Sequence, residues 1–237
     1  MSNPYFSFKQ FTVFHHKCAM KVGIDGVLLG AWADVSNTFH VLDIGTGSGL
    51  IALMLAQRCE AQITGIDIEP NAVIQANENV NDSPWKDRIN IEQTALQDFA
   101  GNSTEKYDLI VSNPPYFVDS LKNPDDKRTI ARHTDSLSNL ELLSYSNILL
   151  LPQGKLAVIL PVSQGLEMIE NAENINLFCN KITYVYPKPN TEIKRVLLEF
   201  SRERITQQIN SMVIETAQRH EYSPEFTALV KDFYLKL

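Results

Sequence analysis

The stretch Val41-Leu42-Asp43-Ile44-Gly45-Thr46-Gly47-Ser48-Gly49 joins a short apolar strand to an apolar helix, Leu50 to about Cys59, through three alternating glycines. Gly45 and Gly47 carry no Cβ, so the backbone there can turn sharply and come close to a ligand. Gly49 allows the next helix to pack tightly. A helix start at this point presents N–H groups to polar ligand atoms. Asp43, at the strand end, is an acceptor for a positive or N–H-bearing group.

Working outward, strands and helices alternate. Gln62–Ile66 reads as a second strand closed by Asp67, and Pro70 stands where a helix over Asn71–Asn79 would begin. Ile89–Gln93 and Tyr107–Ser112 are a third and a fourth strand, Ser138–Leu150 a helix, Lys155–Leu160 a fifth strand and Val162–Asn174 a helix. Lys181–Tyr186 and Arg195–Phe200 close the series. The short turn Pro187–Lys194 between them leaves no room for a parallel crossover, so this pair is expected to be antiparallel. The order implies an α/β architecture, a doubly wound, mostly parallel sheet with one reversed strand. The first forty residues read as irregular, rich in Phe and His, and Ser223–Leu237 as a closing helix. One unit over 1–237 is expected, with an N-terminal extension (1–40), a core (41–200) and a C-terminal extension (201–237).

Composition narrows the function classes. Apolar residues are 44% and charged residues 21% of the 237, ordinary for a globular protein. Apolar runs such as Val27–Trp32 are too short to span a bilayer, and no basic-then-apolar leader opens the chain, so neither a membrane nor a secretory role is expected. Cys18, Cys59 and Cys179 form no CxxC or disulfide framework, which fits a reducing cytoplasm. Acids outnumber bases by 28 to 21, a net charge of −7. A nucleic-acid binder of this charge must rely on local basic patches. No ligand set has metal spacing, so no metal is expected. Nothing demands an oligomer or an obligate protein partner, and a monomer is expected.

The glycine loop has a rival reading, the dinucleotide fold with G-x-G-x-x-G. Here the pattern is Asp-x-Gly-x-Gly-x-Gly. An acid two residues before the first glycine sits badly against a pyrophosphate and suits an ammonium or sulfonium. Asp67, at the end of the second strand, is placed to hold ribose hydroxyls. In these features the chain resembles the class I S-adenosylmethionine-dependent methyltransferases over about Val41–Phe200, Val41–Gly49 being like their first motif and Asp67 like their second. The resemblance implies a Rossmann-like, seven-stranded sheet with its last strand antiparallel. It also implies S-adenosyl-L-methionine as cofactor, with Asp43, Gly45, Thr46, Gly47, Gly49, Asp67 and the adjoining Ile68 around it.

Asn113-Pro114-Pro115-Tyr116 follows the fourth strand, where ligands of open α/β sheets bind. An exocyclic amine on an aromatic ring or an amide is a poor nucleophile because its lone pair is delocalised. The side-chain oxygen of Asn113 and the carbonyl of Pro114 can each accept one N–H, turning the lone pair toward a methyl donor. Both bonds strengthen as positive charge develops. Pro114 and Pro115 stiffen the backbone, and Tyr116 can stack on a flipped base. The motif resembles that of methyltransferases acting on adenine N6, guanine N2 or the glutamine amide of release factors, and does not choose among them.

Two further segments do choose. Phe117–Leu137 is a polar insertion carrying Lys122, Lys127, Arg128, Arg132 and His133 in an otherwise acidic chain, a basic lip suited to RNA phosphates. The N-terminal Phe8-Lys9-Gln10-Phe11 and Met20-Lys21-Val22-Gly23-Ile24-Asp25-Gly26, with Ala131-Arg132-His133, resemble the bacterial methyltransferases of adenine-37 N6 in tRNA1(Val). That resemblance covers nearly the whole chain. It implies that Lys21–Gly26, Lys21 and Gly23 among them, folds over the cofactor's amino-acid end, and that Lys9 and Gln10 line the approach to the pocket. His16 departs from the acid expected there. Leu96 stands where an acid often touches the cofactor's adenine. His15 and His16 read as packing or capping residues. The expected activity is tRNA adenine N6-methylation. The alternatives are glutamine methylation of release factors, whose enzymes carry a separate helical N-terminal domain, and rRNA guanine N2-methylation, whose enzymes usually have an added domain.

Overall fold

The computed structural model describes residues 3–115, 137–218 and 221–237. An eight-stranded sheet forms its middle. In chain order the elements are β1 (Tyr5–Ser7), β2 (Thr12–Phe14), α1 (Ile24–Trp32), β3 (His40–Ile44), α2 (Leu50–Arg58), β4 (Gln62–Asp67), α3 (Pro70–Asn81), β5 (Ile89–Gln93), α4 (Leu96–Asn102), β6 (Tyr107–Ser112), α5 (Asn139–Leu149), β7 (Leu150–Pro161), α6 (Val162–Glu173), β8 (Phe178–Tyr186), β9 (Arg195–Ser201), β10 (Gln208–Val213) and α7 (Pro224–Val230).

The strand order is β10-β8-β9-β7-β6-β3-β4-β5. β9 alone is reversed, antiparallel to both β7 and β8, as the short turn before it requires. The direction of winding switches between β3 and β6, which lie side by side. Alternate strand residues face opposite layers. Val41, Ile63, Leu109, Val111, Ala157 and Ile159 pack with α1, α2 and α7. Leu42, Ile44, Ile66, Ile110, Leu156 and Val158 pack with α4, α5 and α6. Burial on both faces explains why these strands read as nearly continuous apolar runs.

Three expectations change. The sheet has eight strands, not seven, because β10 adds to the edge parallel to β8. Its sequence, Gln-Ile-Asn-Ser-Met-Val, lies mostly exposed and carries little apolar signal. The closing helix is only Pro224–Val230, and a turn and an isolated bridge from Tyr234 to Phe8 follow it. The N-terminal forty residues are not irregular throughout, since they contain a hairpin and α1. Gly26 and Gly30 disguise α1. They face α2, where an added Cβ would stand 2.9 Å from Leu50 Cδ2 or 2.9 Å from Met54 Sδ. The glycines are what lets the two helices approach.

Three arginines close helix ends at the amino edge of the sheet. Arg58 donates to the carbonyls of Gly30 (2.9 Å) and Ala33 (2.7 Å) at the end of α1. Arg88 donates to Ala56, Cys59 and Ala61 at the end of α2, at 2.8–3.0 Å. Arg202 does the same for Asn147, Leu150 and Leu151 after α5. Each places a cation where the helix dipole is negative and satisfies carbonyls that have no intrahelical donor. No helix among the described residues is long and apolar enough to cross a membrane.

Candidate active site

The loops after β3, β4 and β6 emerge side by side at the carboxyl edge, at the switch in winding where ligands of doubly wound sheets bind. Register fixes this. Asp43 lies between Gly65 of β4 and Val111 of β6, and Ile44 between Ile66 and Ser112. Gly45 and Asn113 are therefore the next residues of two adjacent strands. The Ser112 hydroxyl donates to the carbonyl of Ile44 at 2.9 Å and locks the pair.

Gly45, Gly47 and Gly49 all have left-handed φ, +70°, +57° and +80°. Added Cβ atoms at Gly45 and Gly47 would meet nothing closer than 4.0 Å, so open space lies above the loop. Gly49 instead rests on Ala76 of α3, 3.5 Å from its would-be Cβ. The loop's own donors turn inward. Gly45 and Thr46 N–H go to Ile66 O (2.9 and 3.0 Å) and Gly47 N–H to Asp67 Oδ2 (2.8 Å). At the start of α2 the Ala52 N–H is likewise taken, by Asp43 Oδ2 at 3.2 Å. The helix start thus offers a ligand fewer N–H groups than expected.

Asp43 is wholly buried. Its Oδ2 also accepts from the Thr46 hydroxyl at 2.7 Å, while Oδ1 finds no hydrogen-bond partner among the described residues. Burial raises its pKa to about 7, against the opposing pull of the Thr46 and Ala52 bonds, and the nearby charge of Asp67 adds to the rise. A buried carboxylate with one unmet oxygen suits a cationic ligand. The side chain of Thr46 points into the protein and holds Asp43. Gly65 makes that possible, since a Cβ there would stand 2.9 Å from Thr46 Oγ1 and 2.7 Å from Ile91 Cδ1. Gly65 was absent from the sequence reading. A glycine inside an apolar strand was the available signal.

Asp67 is half-buried and accepts Gly47 N–H on Oδ2 and Glu69 N–H on Oδ1, the latter at 2.9 Å. Each oxygen keeps a second lone pair. Ile68 beside it is 57% exposed. The segment before α1 passes close by. Burial and the Asp67 charge push the Cys18 thiol up to about 11. His15, buried, spans this segment, with Nε2 at 3.0 Å from Asn3 O and Nδ1 accepting from Val22 N–H. Lys17 pairs with Glu78 of α3. His16 is exposed with its ring edge-on to Phe14. Lys21 and Gly23 are exposed just before α1, and Asp25 in its first turn meets Arg195 Nε at 2.9 Å.

Asn113 is half-buried, Pro114 buried and Pro115 exposed. Tyr116, Lys122, Lys127, Arg128, Arg132 and His133 lie outside the described residues. Three other assigned residues, Leu96, Lys9 and Gln10, lie among the described ones. Leu96 opens α4 with its side chain in the core, 4% exposed. Lys9 and Gln10 sit at the tip of the β1–β2 hairpin, which meets the C-terminal residues through the Lys9 N–H bond to Phe233 O. The Lys9 ammonium donates to Lys231 O at 2.6 Å, and neighbouring Asp232 O accepts from Gln57 in the last turn of α2. Phe8 and Phe11 draw the hairpin tip there by packing on each other and on Tyr234 and Trp85.

The family model "Methyltransferase small domain" matches residues 25–167. Curated relatives span the full length. A tRNA1(Val) (adenine(37)-N6)-methyltransferase of Parabacteroides distasonis is 52% identical over 237 residues, covering 100% of both chains. Proteins of the same name from Phocaeicola vulgatus and Trichodesmium erythraeum are 51% and 49% identical, again over 100% of both chains. Among solved structures, a protein described as a predicted O-methyltransferase from Agrobacterium tumefaciens superposes with TM-score 0.70 at 17% identity, over 88% of this chain and 96% of its own. A glycopeptide N-methyltransferase complexed with S-adenosyl-L-methionine superposes with TM-score 0.56 at 11% identity, over 76% and 95%. At these identities the structural likenesses concern the fold alone.

Proposed function

The chain belongs to the methyltransferase small domain family, among the bacterial tRNA1(Val) (adenine(37)-N6)-methyltransferases, and from that premise we propose that it transfers a methyl group from S-adenosyl-L-methionine to the exocyclic amine of adenine-37 in tRNA1(Val). The observation that carries the reading is the register Ile44–Ser112. It sets Asn113-Pro114 next to a glycine loop backed by a buried carboxylate with one unmet oxygen.

When bound, S-adenosyl-L-methionine supplies an electrophilic methyl carbon on a sulfonium. The space over Gly45 and Gly47, the unmet oxygen of Asp43 and the remaining lone pairs of Asp67 fit such a group. Asp67 would take the ribose hydroxyls, Ile68 would cover the adenine, and Lys21 and Gly23 would stand at the amino-acid end. Thr46 and Gly49 serve the site from below, by holding Asp43 and by seating the loop on α3.

The side-chain oxygen of Asn113 accepts one N–H of the adenine amine and the carbonyl of Pro114 the other. The nitrogen lone pair then lies outside the ring plane, aimed at the methyl group. As the nitrogen becomes positive both bonds tighten, which lowers the barrier selectively. The surplus proton leaves after transfer, so no strong base is required. Pro115 stiffens the turn, and Tyr116 stacks on the base. Lys127, Arg128, Arg132 and His133 meet the tRNA backbone. The same reading takes 1–237 as one cytoplasmic, monomeric unit that binds no metal.

The test is mass spectrometry of nucleosides in tRNA from cells lacking the protein, before and after incubation with the purified chain and cofactor. N6-methyladenosine at position 37 of tRNA1(Val) should appear only after incubation. Methyl groups found instead on a release-factor glutamine or an rRNA guanine would overturn the substrate. Replacing Arg128 and Arg132 together by Ala should raise KM for tRNA and reduce its salt slope by about two phosphate contacts. An unchanged slope removes them from the RNA surface.

A further inference from the structure

Arg195 opens β9, the reversed strand, directly beside Pro161 at the carboxyl edge of β7. Its Nε donates to Asp25 Oδ2 at 2.9 Å across 170 positions of chain, and its Nη1 to the carbonyl of Lys194 at 2.9 Å. The pair is partly sheltered, with side chains 30% and 18% exposed. Asp25 lies in the first turn of α1, two residues after Gly23 and four after Lys21. Gly23, the N-cap of α1, makes no side-chain capping bond. The entry of α1 is therefore tied to the sheet by this ion pair.

We propose that Arg195 is a positioning residue for the cofactor's amino-acid end. It fixes the first turn of α1, whose Gly26 meets Leu50 just after the glycine loop, and neutralises Asp25, whose bare charge would repel the cofactor's carboxylate. The inference rests on the methyltransferase reading above and assigns a role to a residue outside both sequence motifs. A carboxylate left without its guanidinium sits at the positive end of the α1 dipole and cancels the attraction that end offers an anion. Loss of Arg195 alone is thus worse for binding than loss of both charges.

The test is calorimetric titration with two ligands, S-adenosylhomocysteine, which has the amino-acid end, and 5′-methylthioadenosine, which lacks it. In Arg195→Met the affinity for S-adenosylhomocysteine should fall about tenfold, the scale of one unbalanced charge near a protein surface. Affinity for methylthioadenosine should change by about twofold or less, because it carries no charge for the carboxylate to repel. Arg195→Lys keeps the charge and should retain most of the affinity. The double variant Asp25→Asn with Arg195→Met should regain most of what the single variant loses. Equal losses for both ligands, no loss for either, or a double variant weaker than the single one would each overturn the proposal. Wild-type protein that binds neither ligand would instead sink the methyltransferase reading itself. Thermal melts of every variant separate loss of fold from loss of binding.

Discussion

The two ends of α1 and α2 are treated oppositely. At the carboxyl edge of the sheet both helices begin on glycines, Gly23 and Gly49, with no side-chain cap. At the amino edge both finish under an arginine, Arg58 for α1 and Arg88 for α2, that takes up their terminal carbonyls. Three other starts carry side-chain caps, while α4 and α6, which begin after Ala95 and Pro161, do not. Glu69, Ser138 and Ser223 accept backbone N–H groups at the starts of α3, α5 and α7. What sets α1 and α2 apart is the glycine at each start, Gly23 and Gly49. At the start of α2 the Asp43 carboxylate already takes the Ala52 N–H, and a Cβ at Gly45 or Gly47 would enter the space a ligand needs. The arginines satisfy helix ends at the amino edge, while at the carboxyl edge the loop glycines leave open space and Asp43 Oδ1 is left unmet among the described residues.

The largest effect that sharpens this contrast is at Asn113. Replacement by Ala should cut methyl transfer by about 10²–10³-fold, the cost of losing one preorganised polar partner, and leave cofactor affinity and melting temperature near wild type. Loss of cofactor binding in that variant, measured by calorimetry, would place Asn113 in the cofactor site.

At the opposite edge Arg88→Met should act in reverse. It strips three carbonyls of their donor and should cost about 2–3 kcal/mol, as expected for hydrogen bonds to a charged group. In a chain of this size that is a drop of about 5–10 °C in Tm. Affinity for the cofactor, measured below the transition, should not move. A variant that melts normally but binds poorly would erase the division between the two edges.

Legibility in the sequence follows the same division. The parallel core was readable because apolar strands buried on two faces announce themselves, and the reversal of β9 because its turn is too short for a crossover. That Asp43, Asp67 and Asn113 lie near one another was readable because each is at or next to the carboxyl end of a neighbouring strand, where register brings residues together. α1 was hidden by Gly26 and Gly30, whose reason lies in Leu50 and Met54 across the interface. β10 was hidden because an exposed edge strand needs no apolar pattern. The surroundings of Lys9 were hidden because nothing local reveals that Phe8 and Phe11 anchor the hairpin tip beside Tyr234 and Trp85. Gly65, and the Arg195–Asp25 pair, depend on contacts between distant segments that no spacing rule encodes.

Gly65 offers a smaller perturbation at the site edge. Gly65→Ala drives a methyl group against Ile91 and Thr46, at 2.7 and 2.9 Å, and overpacking of this kind costs about 2 kcal/mol. Because Thr46 is one of the groups displaced, its bond to Asp43 should weaken, and cofactor affinity should fall together with stability. Gly101→Ala in α4, where an added Cβ meets nothing within 4 Å, is the control and should stabilise by about 0.5–1 kcal/mol with cofactor affinity unchanged. If Gly65→Ala lowers Tm without changing affinity, Thr46 is not what aims Asp43.

A change of pH at Asp43 tests the site edge without a substitution. Burial raises its carboxyl to about 7 in the folded chain, against about 3.9 when unfolded. Between those values the native state keeps a proton that the unfolded state has released. Stability is therefore greatest below about pH 4 from this group, and it declines as pH rises toward about 7, by at most about 1.4 kcal/mol per pH unit for one proton. Asp43→Asn removes the titration, so the Tm of wild type minus that of the variant should shrink steadily over this range and level off above it. Saturating S-adenosyl-L-methionine, a sulfonium cation, should favour the ionised carboxylate and flatten the wild-type slope. Parallel melting curves for the two proteins across the range, with or without the cofactor, would mean that the unmet oxygen of Asp43 is already balanced by other groups and is not the feature that distinguishes the site edge from the capped one.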